Sequence, residues 1–231
     1  MRVPRRRAFT LEELVAARMV SERGASLLRR IVQARLAFLV SGGTGSGKTT
    51  LLNTLLGLVN PMERLVIVED SSELRPELPH VVALEARPAN IEGAGAVSMQ
   101  LLVRQALRMR PDRLVVGEVR GAEVVDLMAA LNTGHEGGCG TLHANSPSAV
   151  PARVETLALL AGLHRDAAES LMGAAIDVIV HLHRGGSGRR RVSEIGVLGG
   201  RVATVESAVR FDDDLNLVEG PAWESLLEML A

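Results

Sequence analysis

Residues 41–50 read SGGTGSGKTT, between the apolar run LAFLV (36–40) and the leucine-rich stretch LLNTLLGLV (51–59). Gly42, Gly47, Lys48 and Thr49 satisfy the pattern G-x-x-x-x-G-K-[ST]. Its glycines let backbone N–H groups curl inward around an anion, and the helix that follows points its positive end at that anion. Gly42, Gly43, Thr44, Gly45, Ser46, Gly47, Lys48, Thr49 and Thr50 are therefore the expected phosphate cradle. Lys48 is expected to reach the β- and γ-phosphates, and the Thr49 hydroxyl to ligate Mg²⁺. The mechanism needs a strand before the loop and a helix after it, and the two flanking apolar stretches supply them.

The rest of the composition is that of an ordinary globular chain. Its 231 residues are 47% hydrophobic and 23% charged with a formal net charge of −1, so a substantial core can form. The charge lacks the basic excess of a nucleic-acid binder, and no stable nucleic-acid partner is expected. The single Cys139 excludes an intramolecular disulfide and fits a reducing cytoplasm. No apolar run approaches the roughly 18 residues that span a bilayer. The N-terminal MRVPRRR lacks the apolar core of a secretory signal.

Along the chain, helical and strand patterns alternate. Thr10 and Glu13 form a capping box ahead of LEELVAARMV, and a helix through ASLLRRIVQA leads into the first strand, 36–40. The helix after the phosphate loop is expected to end at Pro61. Then come a strand at 65–68, a looser section, a helix at 98–110, a strand at 114–117, a helix AEVVDLMAALN and a short strand near CGTL. DVIVHLHRGGSGRRRVSEIGVL reads as a β-hairpin with GGSG as its turn. Such alternation predicts an α/β fold, a mostly parallel sheet flanked by helices.

Three clusters add chemistry. RLVIVEDSSEL delivers Glu69, Asp70 and Glu73 at a strand's C-terminal end, where open α/β sheets bind ligands; the plainer reading is a solvated acidic turn. DRLVVGEVRG ends a strand in Gly117-Glu118, placing a carboxylate to act on Mg²⁺ or on an attacking water. TGHEGGCGTLHAN gathers His135, Cys139 and His143, but the spacing fits neither H-E-x-x-H nor a paired C-x-x-C zinc site, and no fourth ligand is obvious. Its glycines instead suggest backbone passing close to another group, with Thr141 and His143 facing the phosphates. For His135 a structural role remains the alternative.

Taken together, GGTGSGKTT, VIVEDSSEL, ALRMRPDRLVVGEVRG and TGHEGGCGTLHAN resemble the Walker A, Asp-box, Walker B and His-box motifs of the type II/IV secretion ATPase superfamily. LEARPANIEGAGAVSMQLLVRQALRMRPDRLVVGEVRG is most similar to the Flp/tight-adherence pilus assembly ATPases and the conjugal-transfer-associated ATPases. The resemblance covers about residues 10 to 211. It implies a RecA-like P-loop NTPase that hydrolyses ATP with Mg²⁺, in a homo-oligomer of six subunits on the inner face of the cytoplasmic membrane. An inner-membrane platform protein of a pilus or secretion machine would be its partner. Position by position, it implies that Lys48 and Thr49 serve the phosphates and metal and that Glu118 activates water or holds Mg²⁺. Glu73 becomes the Asp-box acid and His143 a γ-phosphate sensor, while Glu69, Asp70 and His135 match with vaguer roles. An arginine reaching a neighbouring subunit is also implied, with Arg104, Arg110, Arg113 and Arg120 as candidates.

Members of this superfamily carry a domain ahead of the motor, and only its tail fits before Gly42. Residues 1–20 are accordingly expected to be a linker or that tail, and 21–231 the motor domain with a C-terminal β-hairpin region. The arginines at 2, 5, 6 and 7 read as a solvated linker end or as a contact for anionic lipid or nucleic acid. Two alternatives to the motor stay open: a nucleotide-dependent regulatory module without turnover, and a DNA-processing enzyme.

Overall fold

A computed structural model describes residues 8–186, 188–199 and 203–231. The arginine cluster 2–7 and Ser187 of the expected GGSG turn lie outside the described residues. Among the described residues the chain forms a nine-stranded sheet in the order β3-β2-β4-β5-β1-β6-β7-β8-β9. The strands are β1 (Phe38–Gly42), β2 (Leu65–Glu69), β3 (Val81–Glu85), β4 (Arg113–Val119), β5 (Cys139–Leu142), β6 (Val178–Arg184), β7 (Arg190–Gly199), β8 (Thr204–Phe211) and β9 (Leu217–Glu219). From β3 to β6 every pairing is parallel, and from β6 to β9 every pairing is antiparallel.

The parallel strands are buried on both faces, and their alternation sorts side chains into two cores. Phe38, Val40, Leu65, Ile67, Val115, Val178 and Val180 point to one face. There they meet α2 (Glu22–Gln33) and α3 (Lys48–Leu56) through Leu28, Ile31, Leu51, Leu52 and Leu55. Leu39, Val66, Val68, Leu114, Val116 and Ile179 point to the other. That face is covered by α4 (Met99–Leu107), α5 (Glu123–Leu131), α6 (Val150–Leu160) and α7 (Arg165–Ala175). The short helix α1 (Leu11–Ala16) carries the expected capping box, with Thr10 and Glu13 bonding each other's backbone. Leu14, Met19 and Val20 are buried in the first core, so the segment expected to be a linker packs against it.

Several boundaries differ from the sequence reading, each for a local reason. The helix after the phosphate loop stops at Leu56, upstream of Pro61. Gly57 caps it, and the next amides bond one residue short, Leu58 to Leu55 and Val59 to Leu56. α4 stops at Leu107 rather than 110 because Arg110 takes φ 51 ahead of Pro111. β3 lies in the section read as loose. It is a half-exposed edge strand, so its burial pattern is not cleanly two-periodic. The expected hairpin is present as β6 and β7, but β8 and β9 extend it into a meander. The last 20 residues, unmatched by resemblance, close the first core through Ala222, Leu226 and Leu230 of α8 (Trp223–Met229) and its flanks.

Candidate nucleotide site

Parallel strands end together, and β4, β5 and β1 are neighbours in the sheet, so their C-terminal ends converge on one place. β1 runs into the loop 42–47, β4 delivers Glu118, and β5 delivers His143. Gly47 caps α3 with φ 100, a left-handed conformation that glycine tolerates, and no side chain caps the helix start. The first N–H groups of α3 thus remain directed into the loop. Ser46 Oγ, buried within it, has no hydrogen-bond partner among the described residues.

Lys48 is 8% exposed, and its Nζ donates to Gly42 O and Gly43 O, each at 3.1 Å, with His143 Nε2 at 3.3 Å. Among the described residues no carboxylate forms a salt bridge with it. Burial lowers its pKa, with the negative charge of Glu118 opposing. A buried ammonium facing carbonyls and an uncapped helix start fits an anion in this loop.

Glu118 owes its position to an irregularity. The β4–β5 register shifts between Val116 and Val119, and Thr141 Oγ1 donates to Gly117 O at 2.7 Å across that shift. Such bulges re-aim side chains. Here Glu118 Oε1 lies 2.6 Å from His143 Nε2, and its Oε2 accepts from Arg120 Nη2 at 2.9 Å. The same Arg120 nitrogen reaches Asp70 Oδ2 at 2.9 Å. Gly117 is required just before: a Cβ there would stand 2.6 Å from Glu69 Cγ. Lys48, His143, Glu118, Arg120 and Asp70 therefore form one connected polar group.

Other expected residues are placed differently. Glu69 is buried, and its Oε1 accepts the N–H groups of Glu73 (3.1 Å) and Leu74 (3.0 Å), so it pins the acidic turn rather than facing a ligand. Its pKa is raised, chiefly by burial. Glu73 is held by its backbone with its side chain exposed. Thr141 faces Gly117 rather than the phosphates. The close approaches at Gly138 and Gly140 are to Leu131 and to the carbonyls of Leu114 and Val116, neighbouring protein and not ligand. Cys139 is buried in the first core with its thiol pushed up to about 12 by burial, while His135 Nδ1 sits 3.3 Å from Ala130 O. Arg113 leaves the set of candidates for a neighbour's site. It is 2% exposed and locked to both oxygens of Glu63, at 2.6 and 3.2 Å, and to Val32 O. Arg104 pairs with Asp126 at 2.8 Å, and Arg110 is exposed.

Beneath the loop, Ser41 Oγ meets His181 Nδ1 at 2.8 Å across the β1–β6 ladder, a pair the sequence did not signal. Burial, then the charges of His183 and Lys48, push the His181 pKa from 6.5 down to about 4. The unfolded chain therefore takes up this proton first. Stability linked to His181 is complete above pH 6.5 and is lost as pH falls toward 4. Denaturant titrations across that window are expected to show a shallower loss for His181→Gln than for wild type; parallel curves would refute the coupling.

A family model described as "Type II/IV secretion system protein" matches residues 1–206. The chain belongs to the type II/IV secretion system protein family. Over 208 residues it is 59% identical to a Mycobacterium tuberculosis protein whose name provisionally assigns it to conjugal transfer, spanning 89% of this chain and 59% of that protein. Over 198 residues it is 36% identical to the conjugal transfer protein TrbB of Rhizobium radiobacter, spanning 84% of this chain and 58% of TrbB. The VirB11 ATPase of the Brucella suis type IV secretion system, solved with sulphate, matches with a TM-score of 0.68 at 33% identity, covering 80% of this chain and 55% of that one. This chain thus spans under two thirds of the length of each of these relatives. The RecA-like P-loop architecture expected for the type II/IV secretion family is the architecture of the chain.

Among the described residues no group of three His, Cys, Asp or Glu could hold a metal alone. Mg²⁺ at phosphates keeps several waters and takes one or two protein oxygens, so a hydroxyl and a carboxylate are a donor set that fits. Also among them, no helix is long and apolar enough to cross a membrane.

Proposed function

We propose that this chain is an ATP-hydrolysing motor that powers conjugal transfer, protein secretion or pilus assembly. The observation that carries the reading is the Glu118 carboxylate. A strand bulge turns it onto His143 and Arg120, one residue away from the buried Lys48.

In this reading the loop amides and Lys48 bind the phosphates, and Thr49 with Glu118 would hold Mg²⁺, which would supply charge neutralisation on the phosphate oxygens. Alternatively, Glu118 activates the attacking water by accepting its proton. His143, whose Nε2 lies between Lys48 Nζ and Glu118 Oε1 and can engage one of them at a time, responds to the γ-phosphate, and Arg120 holds the Glu118 carboxylate at the strand end. Glu73, exposed on the turn that Glu69 pins, is the second acid of the site. The relatives named for conjugal transfer and type IV secretion support assignment to a secretion machine. Assembly as a six-membered ring on the inner face of the cytoplasmic membrane, against a membrane platform protein, belongs to the same reading. So does a division into residues 1–20 as a connecting segment and 21–231 as the motor.

Phosphate release measured against protein concentration tests it. Specific activity is expected to rise with concentration, and added Glu118→Gln protein to depress it more than dilution does, because each ring would then contain inactive subunits. A wild-type rate that stays at background at every concentration would defeat the motor reading. Strict proportionality of a measurable rate to wild-type protein would defeat the ring.

A further inference from the structure

The β6–β7 hairpin brings two arginines beside the phosphate loop from the side of β1 opposite Glu118. A Cβ built on Gly45 would stand 3.5 Å from Arg184 Nη1, and one on Gly47 would stand 3.6 Å from Arg190 Cδ. Neither arginine was singled out by any sequence motif.

Their pairing places two like charges side by side on the exposed face of the hairpin. Arg184 and Arg190 are direct cross-strand partners, an arrangement in which like charges repel. A register shift after the His181–Glu194 pair selects the partner: Leu182 faces Val192, which sets Arg190 rather than Arg191 opposite Arg184. Arg35, Arg104, Arg113, Arg120 and Arg191 each meet a carboxylate oxygen. Among the described residues, no carboxylate forms a salt bridge with Arg184 or Arg190. The two charges also add to Lys48 and to the α3 N-terminus, so positive potential accumulates on one side of the loop. An array of this kind is stabilised by a polyanion lying along it.

We propose that Arg184 and Arg190 form a clamp, supplied by the same subunit, on the phosphates that ATP and ADP have in common. The inference rests on the ATPase reading and extends its site. Glu118 and His143, on the β4 and β5 side, face the chemistry, whereas the hairpin arginines enter from β6 and β7 and hold the part of the chain retained after hydrolysis. Contacts equal in substrate and product strengthen binding of both without favouring the transition state. The clamp therefore retains ADP, and weakening it loosens product as well as substrate.

The test is calorimetric binding of MgATP and of MgADP to wild type, Arg184→Gln, Arg190→Gln and Arg184→Lys, beside thermal melting with and without nucleotide. Each Gln variant is expected to raise Kd for both nucleotides together by about tenfold, as for loss of one charge-assisted contact. Arg184→Lys should recover part of that loss, and added salt should shrink the wild-type advantage. Without nucleotide the Gln variants should melt at or above the wild-type temperature, because the cross-strand repulsion is relieved. Nucleotide should raise their melting temperature less than it does for wild type. Unchanged Kd values, a loss confined to kcat, or a lower melting temperature without nucleotide would each overturn the clamp. Wild-type protein that binds neither nucleotide would overturn the ATPase reading as well, whereas binding by wild type with unaltered variants overturns the clamp alone.

Discussion

Glu118→Gln is expected to bind ATP as wild type does and to lose turnover by a factor on the order of 10² to 10⁴. The amide keeps the size and reach of the carboxylate, so the contact with Arg120, now 2.9 Å, can persist in weaker form. Lys48 and the loop amides, which hold the ground state, are untouched. The change removes a negative charge and a proton acceptor, both of which matter most as charge develops in the reaction. His143 loses an anionic partner at 2.6 Å, so its response to nucleotide should change as well. The measurement is steady phosphate release beside equilibrium ATP binding. A variant that binds ATP and hydrolyses it within threefold of wild type would remove Glu118 from the mechanism and leave Glu73 as the next acid to test. A wild-type rate already negligible and unaffected by the substitution would favour the regulatory module.

Lys48→Ala is expected to cost ATP affinity on the order of 10²-fold or more, since it removes the buried side-chain cation from a site built for a polyanion. The same residue is a liability in the nucleotide-free protein. The residue is 8% exposed, and its ammonium is met by the carbonyls of Gly42 and Gly43 rather than by a carboxylate. Burying a charge so incompletely compensated is unfavourable. Melting of the nucleotide-free variant should therefore occur no lower than in wild type, which separates lost binding from lost folding. Calorimetry showing an unchanged Kd for ATP would sink the phosphate-loop assignment.

Much of the candidate site was legible in the sequence because its parts are local. The loop 42–47 needs only its own glycines, Lys48 and the adjoining helix start, and all are contiguous in the chain. Glu118 was legible because an apolar strand pattern runs into a carboxylate, although β4 continues to the buried Val119, and His143 because it follows the next short strand. The strand cores were legible from runs such as LVIV, since a strand buried on both faces has no polar alternation. The misplacements came from contacts with distant partners. Glu69 and Glu73 look alike in VEDSSEL, yet one folds back to bond two amides and the other stays exposed. Arg113 looks like its neighbours Arg110 and Arg120, yet only it meets Glu63 in the interior.

By itself the sequence determined a mostly parallel α/β sheet, a Gly-rich loop whose lysine and threonine fit a phosphate, and the order of the strands' chemical groups along the chain. Those features follow from propensity, burial periodicity and short-range spacing, which act over a few residues. Only the tertiary structure decided which groups meet. Strand order places β4 and β5 on one side of β1 and β6 and β7 on the other, so Glu118 and His143 lie opposite Arg184 and Arg190 across the loop. Register shifts at Val116/Val119 and after His181 then set which side chain faces which. A shift of one residue exchanges the faces of every side chain beyond it, and its energetic cause lies in the partner strand.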